Sequence, residues 1–264
     1  MKGIVFLGER RTELREFPDP QPGPRDVILE IKASGMCGTD LKPYRETFVP
    51  GAVRGGIKRS MEPVIAGHEP CGVVVELGSA VSEREARIGQ RVMDHHYQGC
   101  GVCRHCMGGW RQMCVDGAVV FGSVAHGAHA PYMRVPVDTL VTLPDELSFE
   151  TGAAIACGTG TAFGALNRLS LHGDETIAIF GQGPVGLSAT QLAHAMGARV
   201  IALDISSERR GLAAEMGADI TLDPMVGDPV EMILEHTQGE GAHKTMDASS
   251  SPQARAQAVR ATRA

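Results

Sequence analysis

Thr176-Ile177-Ala178-Ile179-Phe180-Gly181-Gln182-Gly183-Pro184-Val185-Gly186 is a compact apolar run that breaks into glycines spaced Gly-x-Gly-x-x-Gly and opens a helical stretch from Val185 to Met196. Three glycines alone would carry little weight in a chain with 33 of them. In a strand–turn–helix setting they permit a tight turn, close backbone approach to a pyrophosphate, and close packing of helix on strand. Gly181, Gly183, Pro184, Val185 and Gly186 are therefore candidate cofactor contacts, with the pyrophosphate at the helix N-terminus.

The pattern continues downstream. Arg199 to Leu203 is a second strand and Ser206 to Met216 a second helix. Asp219 to Leu222 and His243 to Met246 are expected as third and fourth strands, with a helix between them. Alternating strands and helices imply a parallel sheet with right-handed crossovers. Asp204 ends the second strand eighteen residues beyond Gly186. A carboxylate there can hydrogen-bond both ribose hydroxyls and repels a 2′-phosphate, which favours NAD over NADP. Arg209 and Arg210 follow closely and argue the other way, unless they form a solvated helix face.

Upstream of about residue 155 the texture is different. Val27 to Ala33 alternates apolar residues with Glu30 and Lys32, the period of a half-buried strand. Pro70 to Leu77 and Gln90 to Met93 are similar, and Pro and Gly separate such segments, as in an irregular antiparallel barrel. The expected division is 1–155 and 156–264.

Composition narrows the function. With 43% hydrophobic residues the chain can bury a substantial core, and its net charge of −6 provides no basic face for nucleic acid. No segment approaches the ~20 apolar residues of a membrane helix. The N-terminus has no apolar run suited to export, so seven cysteines point to metal or catalysis before disulfides, and to the cytoplasm.

Cys100, Cys103, Cys106 and Cys114 form C-x2-C-x2-C-x7-C within fifteen residues. Four thiolates this close can enclose one tetrahedral zinc and leave no open position, a structural rather than catalytic arrangement. Cys37 lies in Gly35-Met36-Cys37-Gly38-Thr39-Asp40, His68 in Gly67-His68-Glu69, and Cys157 in Ala156-Cys157-Gly158-Thr159-Gly160. Two thiolates and an imidazole would leave zinc a fourth position for water or substrate. Taken alone they are too far apart in sequence to be identified as ligands, and a lone buried Cys or His is more often core.

The order of these features, with Cys37-Gly38-Thr39-Asp40, Gly67-His68-Glu69, the four-cysteine loop and the later glycine motif, resembles the zinc-containing medium-chain alcohol dehydrogenases. The resemblance runs from about residue 25 to the end of the chain. It implies an α/β plus β fold: a GroES-like irregular β-barrel followed by a partial Rossmann doubly wound sheet, with the active-site zinc between them. It implies two zincs per chain, one catalytic on Cys37, His68 and Cys157 and one structural on the four cysteines. By position Thr39 receives the substrate proton, Asp40 orients the ligand histidine, and Glu69 is a carboxylate close to the metal. Thr161 matches a position on the nicotinamide side, Arg209 a basic position of NAD enzymes, and Phe48 and His96 the substrate pocket. Zinc would lower the pKa of a bound alcohol and ease hydride transfer to NAD.

Two departures stand out. Lys42 occupies a position that is histidine in many relatives and completes their proton path; an ordinary lysine is a poor relay near neutrality. The stretch between Cys37 and His68 is long and carries Arg54, Lys58 and Arg59, a solvated basic loop or a contact for an anionic substrate group. His95, His96 and Tyr97 suit a polar pocket or an exposed loop.

The expected activity is hydride transfer between an alcohol or polyol, or its carbonyl product, and NAD. The alternatives are a threonine-dehydrogenase-like enzyme for a hydroxy-amino acid, or a zinc-ribbon scaffold using only the four-cysteine loop. A small molecule is the expected partner, with neither nucleic acid nor membrane, and the full-length form a homo-oligomer. Six sheet strands are the norm for such a domain and four precede residue 264. The chain is thus expected to be truncated at its C-terminus and inactive by itself.

Overall fold

The computed structural model describes residues 1–54 and 57–264, and the side chains of Arg54 and Ile57 lie outside the described atoms. The chain forms two compact units, Met1–Cys157 and Gly158–Ala264.

In the first unit β1 (Lys2–Gly8) and β2 (Arg11–Glu16) make an antiparallel hairpin. The chain continues through β3 (Asp26–Gly35), α1 (Leu41–Arg45), the short ladder of β4 (Val53–Arg54) and β5 (Ile57–Lys58), then β6 (Glu69–Leu77) and β7 (Arg91–Asp94). After β8 (Tyr97–Gln98), α2 (Arg104–Met107) and β9 (Val119–Val120) come β10 (Tyr132–Pro136), β11 (Leu140–Thr142) and α3 (Phe149–Ala154). Five strands form one antiparallel sheet in the order β10-β3-β6-β7-β11.

The expected alternation holds only in part of β3: Val27 and Leu29 pack with Val74, Val92, Met133 and Val135, but Ile28 between them is buried too, so the strand is covered on both faces there, while Lys32 is exposed. Two irregularities in the β3–β6 pairing, at Ile28/Leu29 and Ile31/Ala33, bend the pair as bulges do. Gly72 is required in β6 because any Cβ there would collide with the Glu30 carbonyl. A smaller apolar cluster of Cys71, Met93, Leu143 and Ala153 seats α3 against the sheet. Cys71 is therefore a core residue, and burial pushes its thiol up to about 11.

The second unit begins with α4 (Gly160–Leu169) and alternates β12 (Thr176–Phe180), α5 (Pro184–Ala195), β13 (Arg199–Leu203), α6 (Ser207–Glu215), β14 (Ile220–Leu222), α7 (Pro229–His236), β15 (Lys244–Asp247) and α8 (Pro252–Ala261). All sheet pairs are parallel, in the order β14-β13-β12-β15. Side chains of β12 point alternately to opposite faces. Ile177 and Ile179 pack on Ala162, Leu166, Ala189 and Ala193, whereas Ala178 and Phe180 face Ile233 and Ala258. A strand buried on both faces has to be a continuous apolar run, and residues 176–180 are one.

The helix starts carry their own signals. Ser206, Asp228 and Ser251 accept hydrogen bonds from amides in the first turns of α6, α7 and α8, and Pro184 and Pro229 stand where a helix needs no amide donor. Among the described residues no helix is long and apolar enough to cross a membrane.

Candidate active site

The C-terminal end of β3 and the loop after it deliver Cys37, Thr39 and Asp40, and the start of β6 delivers His68 and Glu69. Gly67 just before His68 has φ +91, and a Cβ there would lie 2.5 Å from His129 Nδ1 and 2.8 Å from Ser34 Oγ. Only glycine fits that turn. Gly35 plays a similar part for Glu69, whose carboxylate occupies the space a Cβ would fill. Cys157 lies in a single π turn, Ile155–Thr159, an irregularity that often marks functional positions.

Ligand atoms of Cys37, His68, Glu69 and Cys157 all lie within 4.8 Å of one another. Cys37 Sγ is 3.1 Å from His68 Nε2. The opposite ring nitrogen, His68 Nδ1, is 3.0 Å from Asp40 Oδ1, while Asp40 Oδ2 accepts from the Cys37 amide at 2.9 Å. Asp40 thus holds both the loop and the ring, and leaves Nε2 facing the sulfurs. Asp40, His68 and Glu69 are all buried.

Electrostatics point the same way. A hydrogen bond from Cys157, with help from His68, draws Cys37 down to about 3. Burial opposes charge on His68, but hydrogen bonds to Asp40 and Cys37 outweigh it and raise the ring to about 10. Cys157 keeps its proton because Cys37 beside it holds the negative charge. Burial and the neighbouring Cys37 raise Glu69 to about 7. A concentrated negative charge balanced only by protons is the environment a dication occupies, and two sulfurs with one imidazole suit zinc.

Thr39 is exposed and its amide donates to Cys37 Sγ at 3.3 Å. Lys42 is exposed on α1. His96 is brought to the cluster: its buried ring lies 5.0 Å from that of His68, edge to face, and its Nδ1 has no hydrogen-bond partner among the described residues. Phe48 is covered by Arg59, which sits over its ring at 4.3 Å, and it lines a narrow cavity with Phe6, Pro43 and Pro63. Lys58 is exposed, and the Arg54 side chain lies outside the described atoms.

The second cysteine set is a separate lobe. Sulfurs of Cys100, Cys103, Cys106 and Cys114 lie within 4.8 Å of one another, and all four are free thiols. Backbone amides point at them: Cys103 donates to Cys100 Sγ at 3.3 Å, Cys106 to Cys103 Sγ at 3.5 Å and Cys100 to Cys114 Sγ at 3.3 Å. The amides of Cys106 and Val115 draw Cys103 down to about 6. Four sulfurs with no other donor fit a closed tetrahedral zinc.

In the second unit each glycine of the turn has a distinct task. Gly181 has φ +89 and passes so close to Ser249 that a Cβ would lie 2.7 Å from its backbone. Gly186 lets α5 close onto the Gly181 carbonyl. Gly183 faces open space, leaving its backbone free for a ligand to approach. Val185 packs with the buried cluster around Ile177, whereas Pro184 and Thr161 are exposed. A cavity of about 360 Å³ is lined by Gly181, Gly183, Asp204, Ile205, Arg209 and Met225, space that suits the adenosine half of a dinucleotide. Asp204 is buried at its edge, with Arg209 3.8 Å from Oδ2. Arg210 turns away, donating to the Asp204 carbonyl at 2.7 Å and pairing with Asp223 at 3.0 Å. Only Arg209 of the two therefore borders the cavity. The motif reading passed over Gln182 and Thr190, although a glutamine between two glycines at a strand end was a visible signal.

Comparison with known proteins agrees. Residues 23–145 match the family model of the alcohol dehydrogenase GroES-like domain, and residues 184–264 that of zinc-binding dehydrogenases. The chain is 35% identical to the uncharacterised zinc-type alcohol dehydrogenase-like protein YphC of Escherichia coli K12, over 99% of its own length and 74% of that protein's. It is 33% identical to an L-threonine 3-dehydrogenase of Symbiobacterium thermophilum, over 95% and 68% of the two chains. A solved structure of a putative zinc-binding dehydrogenase from Sinorhizobium meliloti, bound to NADP, superposes with a TM-score of 0.86 at 30% identity, covering 100% of this chain and 74% of that one. The chain belongs to the zinc-containing alcohol dehydrogenase family. It is a zinc-dependent oxidoreductase of alcohols or polyols that uses NAD(P), with a GroES-like unit and a parallel Rossmann-like sheet.

Proposed function

We propose that Cys37, His68 and Cys157 hold the zinc at which a small alcohol or polyol is oxidised, or its carbonyl product reduced, with NAD as partner. A second zinc belongs to Cys100, Cys103, Cys106 and Cys114. The observation that carries this reading is the convergence of the Cys37, His68, Glu69 and Cys157 ligand atoms within 4.8 Å, with Asp40 fixing the ring.

When bound, zinc supplies Lewis acidity toward the substrate oxygen and the nicotinamide accepts or returns hydride. The chain's own groups do the rest. Asp40 keeps His68 in the orientation that aims Nε2 at the metal position. Glu69 stays close enough to lend its carboxylate there. The Thr39 hydroxyl accepts the substrate proton, and because Thr39 is itself exposed, water can carry that proton onward without a relay through Lys42. His96 closes the buried side of the pocket.

Gly181, Gly183, Pro184, Val185 and Gly186 seat the pyrophosphate, Thr161 and Arg209 border the cofactor, and Asp204 selects NAD by accepting from the ribose hydroxyls. The full-length form acts in the cytoplasm as a homo-oligomer on small molecules, with neither nucleic acid nor membrane as partner.

The test measures zinc per chain and, in a full-length form, cofactor absorbance against a panel of alcohols, polyols and hydroxy-amino acids, with and without Cys37→Ser. Two zincs, falling to one with loss of turnover in the variant, are expected. Full turnover by Cys37→Ser overturns the site, and turnover of hydroxy-amino acids alone overturns the substrate class.

A further inference from the structure

The turn between β12 and α5 contains a polar anchor that the spacing of its glycines does not require. Gln182 is fully buried, as is Thr190 one layer away on α5. The Gln182 side chain donates to the Ile179 carbonyl at 3.1 Å and accepts from the Thr190 hydroxyl at 2.9 Å. Its backbone N–H donates to Asp204 Oδ2 at 2.7 Å, and the other carboxylate oxygen accepts from the Ser206 amide at 2.8 Å. One residue thus joins the end of β12, the first turns of α5 and the carboxylate at the end of β13.

We propose that Gln182, held by Thr190, is a positioning residue for the cofactor: it locks the Asp204 carboxylate to the phosphate loop and thereby sets the preference for a free ribose 2′-hydroxyl over a 2′-phosphate. The proposal rests on the reading of Asp204 as the ribose carboxylate.

The physical argument concerns what a 2′-phosphate would demand. It needs the carboxylate to turn away so that Arg209, 3.8 Å from Oδ2 and half exposed, can face the added charge. With the Gln182 amide fixed from both sides, that turn breaks a buried hydrogen bond while the loop cannot follow. Buried networks of this kind resist partial loss, because each group left unpaired lies in a low dielectric. Without the side-chain anchor the loop can shift with the carboxylate, and discrimination falls. A merely structural glutamine would affect both cofactors alike.

The experiment measures binding of NAD and NADP to the full chain by calorimetry, for Thr190→Val, Thr190→Ser, Gln182→Met and Asp204→Ala. Hydrogen exchange of the Gly181–Gly183 amides without cofactor is followed in parallel. Thr190→Val and Gln182→Met should each weaken NAD about five- to ten-fold, the worth of one hydrogen bond, with NADP changed less than about two-fold. Thr190→Ser should keep the original ratio and the original exchange rates, while loop amides should exchange faster in Thr190→Val and Gln182→Met, and the Gln182 amide also in Asp204→Ala, which removes its acceptor. Added to Asp204→Ala, Thr190→Val should leave the ratio where Asp204→Ala alone put it. If Asp204→Ala narrows the ratio but neither anchor variant does, or if both cofactors weaken equally, the positioning role is overturned. If Asp204→Ala itself leaves the ratio unchanged, the ribose reading fails and the proposal with it.

Discussion

The two cysteine clusters of this molecule are built on opposite plans. The lobe from Cys100 to Cys114 draws all four sulfurs from fifteen consecutive residues, and its own amides orient them. The Cys37–His68–Cys157 cluster draws on a loop after β3, the start of β6 and a π turn, with Asp40 buried behind the ring. A local site can be specified by spacing, because few residues separate its donors and no long loop has to close. A dispersed site needs the whole sheet to form first, so its geometry is a property of the fold. Four sulfurs would enclose a zinc completely, while three protein donors beside a carboxylate would leave it an open position.

The largest expected effect would break this contrast if it spread. Removing the lobe metal by chelation or by Cys103→Ser should cost on the order of 10 kcal/mol of metal-linked folding energy. Hydrogen exchange should rise within residues 99–117 while β12 to β15 stay protected. Exchange unchanged after chelation would show that the lobe does not depend on metal.

Next, Cys37→Ser should lower alcohol turnover in a full-length form by about 10³-fold or more, since several kcal/mol of charge stabilisation are lost. Zinc analysis should show the lobe metal retained. Loss of both metals would mean the two sites are not independent.

Asp40→Asn probes the dispersed site more gently. The amide oxygen can still accept from the Cys37 N–H, but the NH2 group then faces His68 Nδ1 and cannot accept from it. Zinc affinity there should fall about 10- to 100-fold, read by competition with a chromophoric chelator, with the lobe unaffected. An unchanged affinity would remove Asp40 from its orienting role.

The smallest effect belongs to Asp94, at the end of β7 on the way from one site to the other. It is fully buried, and neither carboxylate oxygen has a partner among the described residues. The neighbouring Thr139 hydroxyl directs its proton to the Pro136 carbonyl at 2.7 Å. Burial therefore raises this carboxyl well above the usual range. Because the folded state binds the proton more tightly than the unfolded chain, stability falls as pH rises from the ordinary carboxylate pKa toward the raised one. Asp94→Asn should stabilise the protein by about 1–2 kcal/mol at neutral pH, with the gain shrinking toward pH 5. Urea unfolding at several pH values checks it, and a gain that does not vary with pH would show that Asp94 is not the titrating group.

Much of this was legible in the chain itself. Thr176–Phe180 and Arg199–Leu203 coincide with the observed strands, because a strand covered on both faces has to be continuously apolar. The helix start at Pro184 follows from the glycine turn before it. Phe48 shows where legibility ends. The resemblance places it at a pocket wall, but nothing in the spacing announces that Arg59 covers its ring. Asp94 carried no spacing that would mark it as buried, so it could not be weighed before the sheets were in place.

What the sequence by itself determined is whatever depends on near neighbours: the four-sulfur lobe, the glycine turn and the helix caps. Each is set by steric and hydrogen-bonding rules that act over a few residues. Tertiary structure alone decided that Cys37, His68, Glu69 and Cys157 meet, that Asp40 turns to the ring, that Arg209 and Arg210 part ways, and that Gln182 holds Asp204. These depend on which strands pair and in what register, and a side chain's partner across such a ladder is fixed by long-range packing that no local spacing encodes.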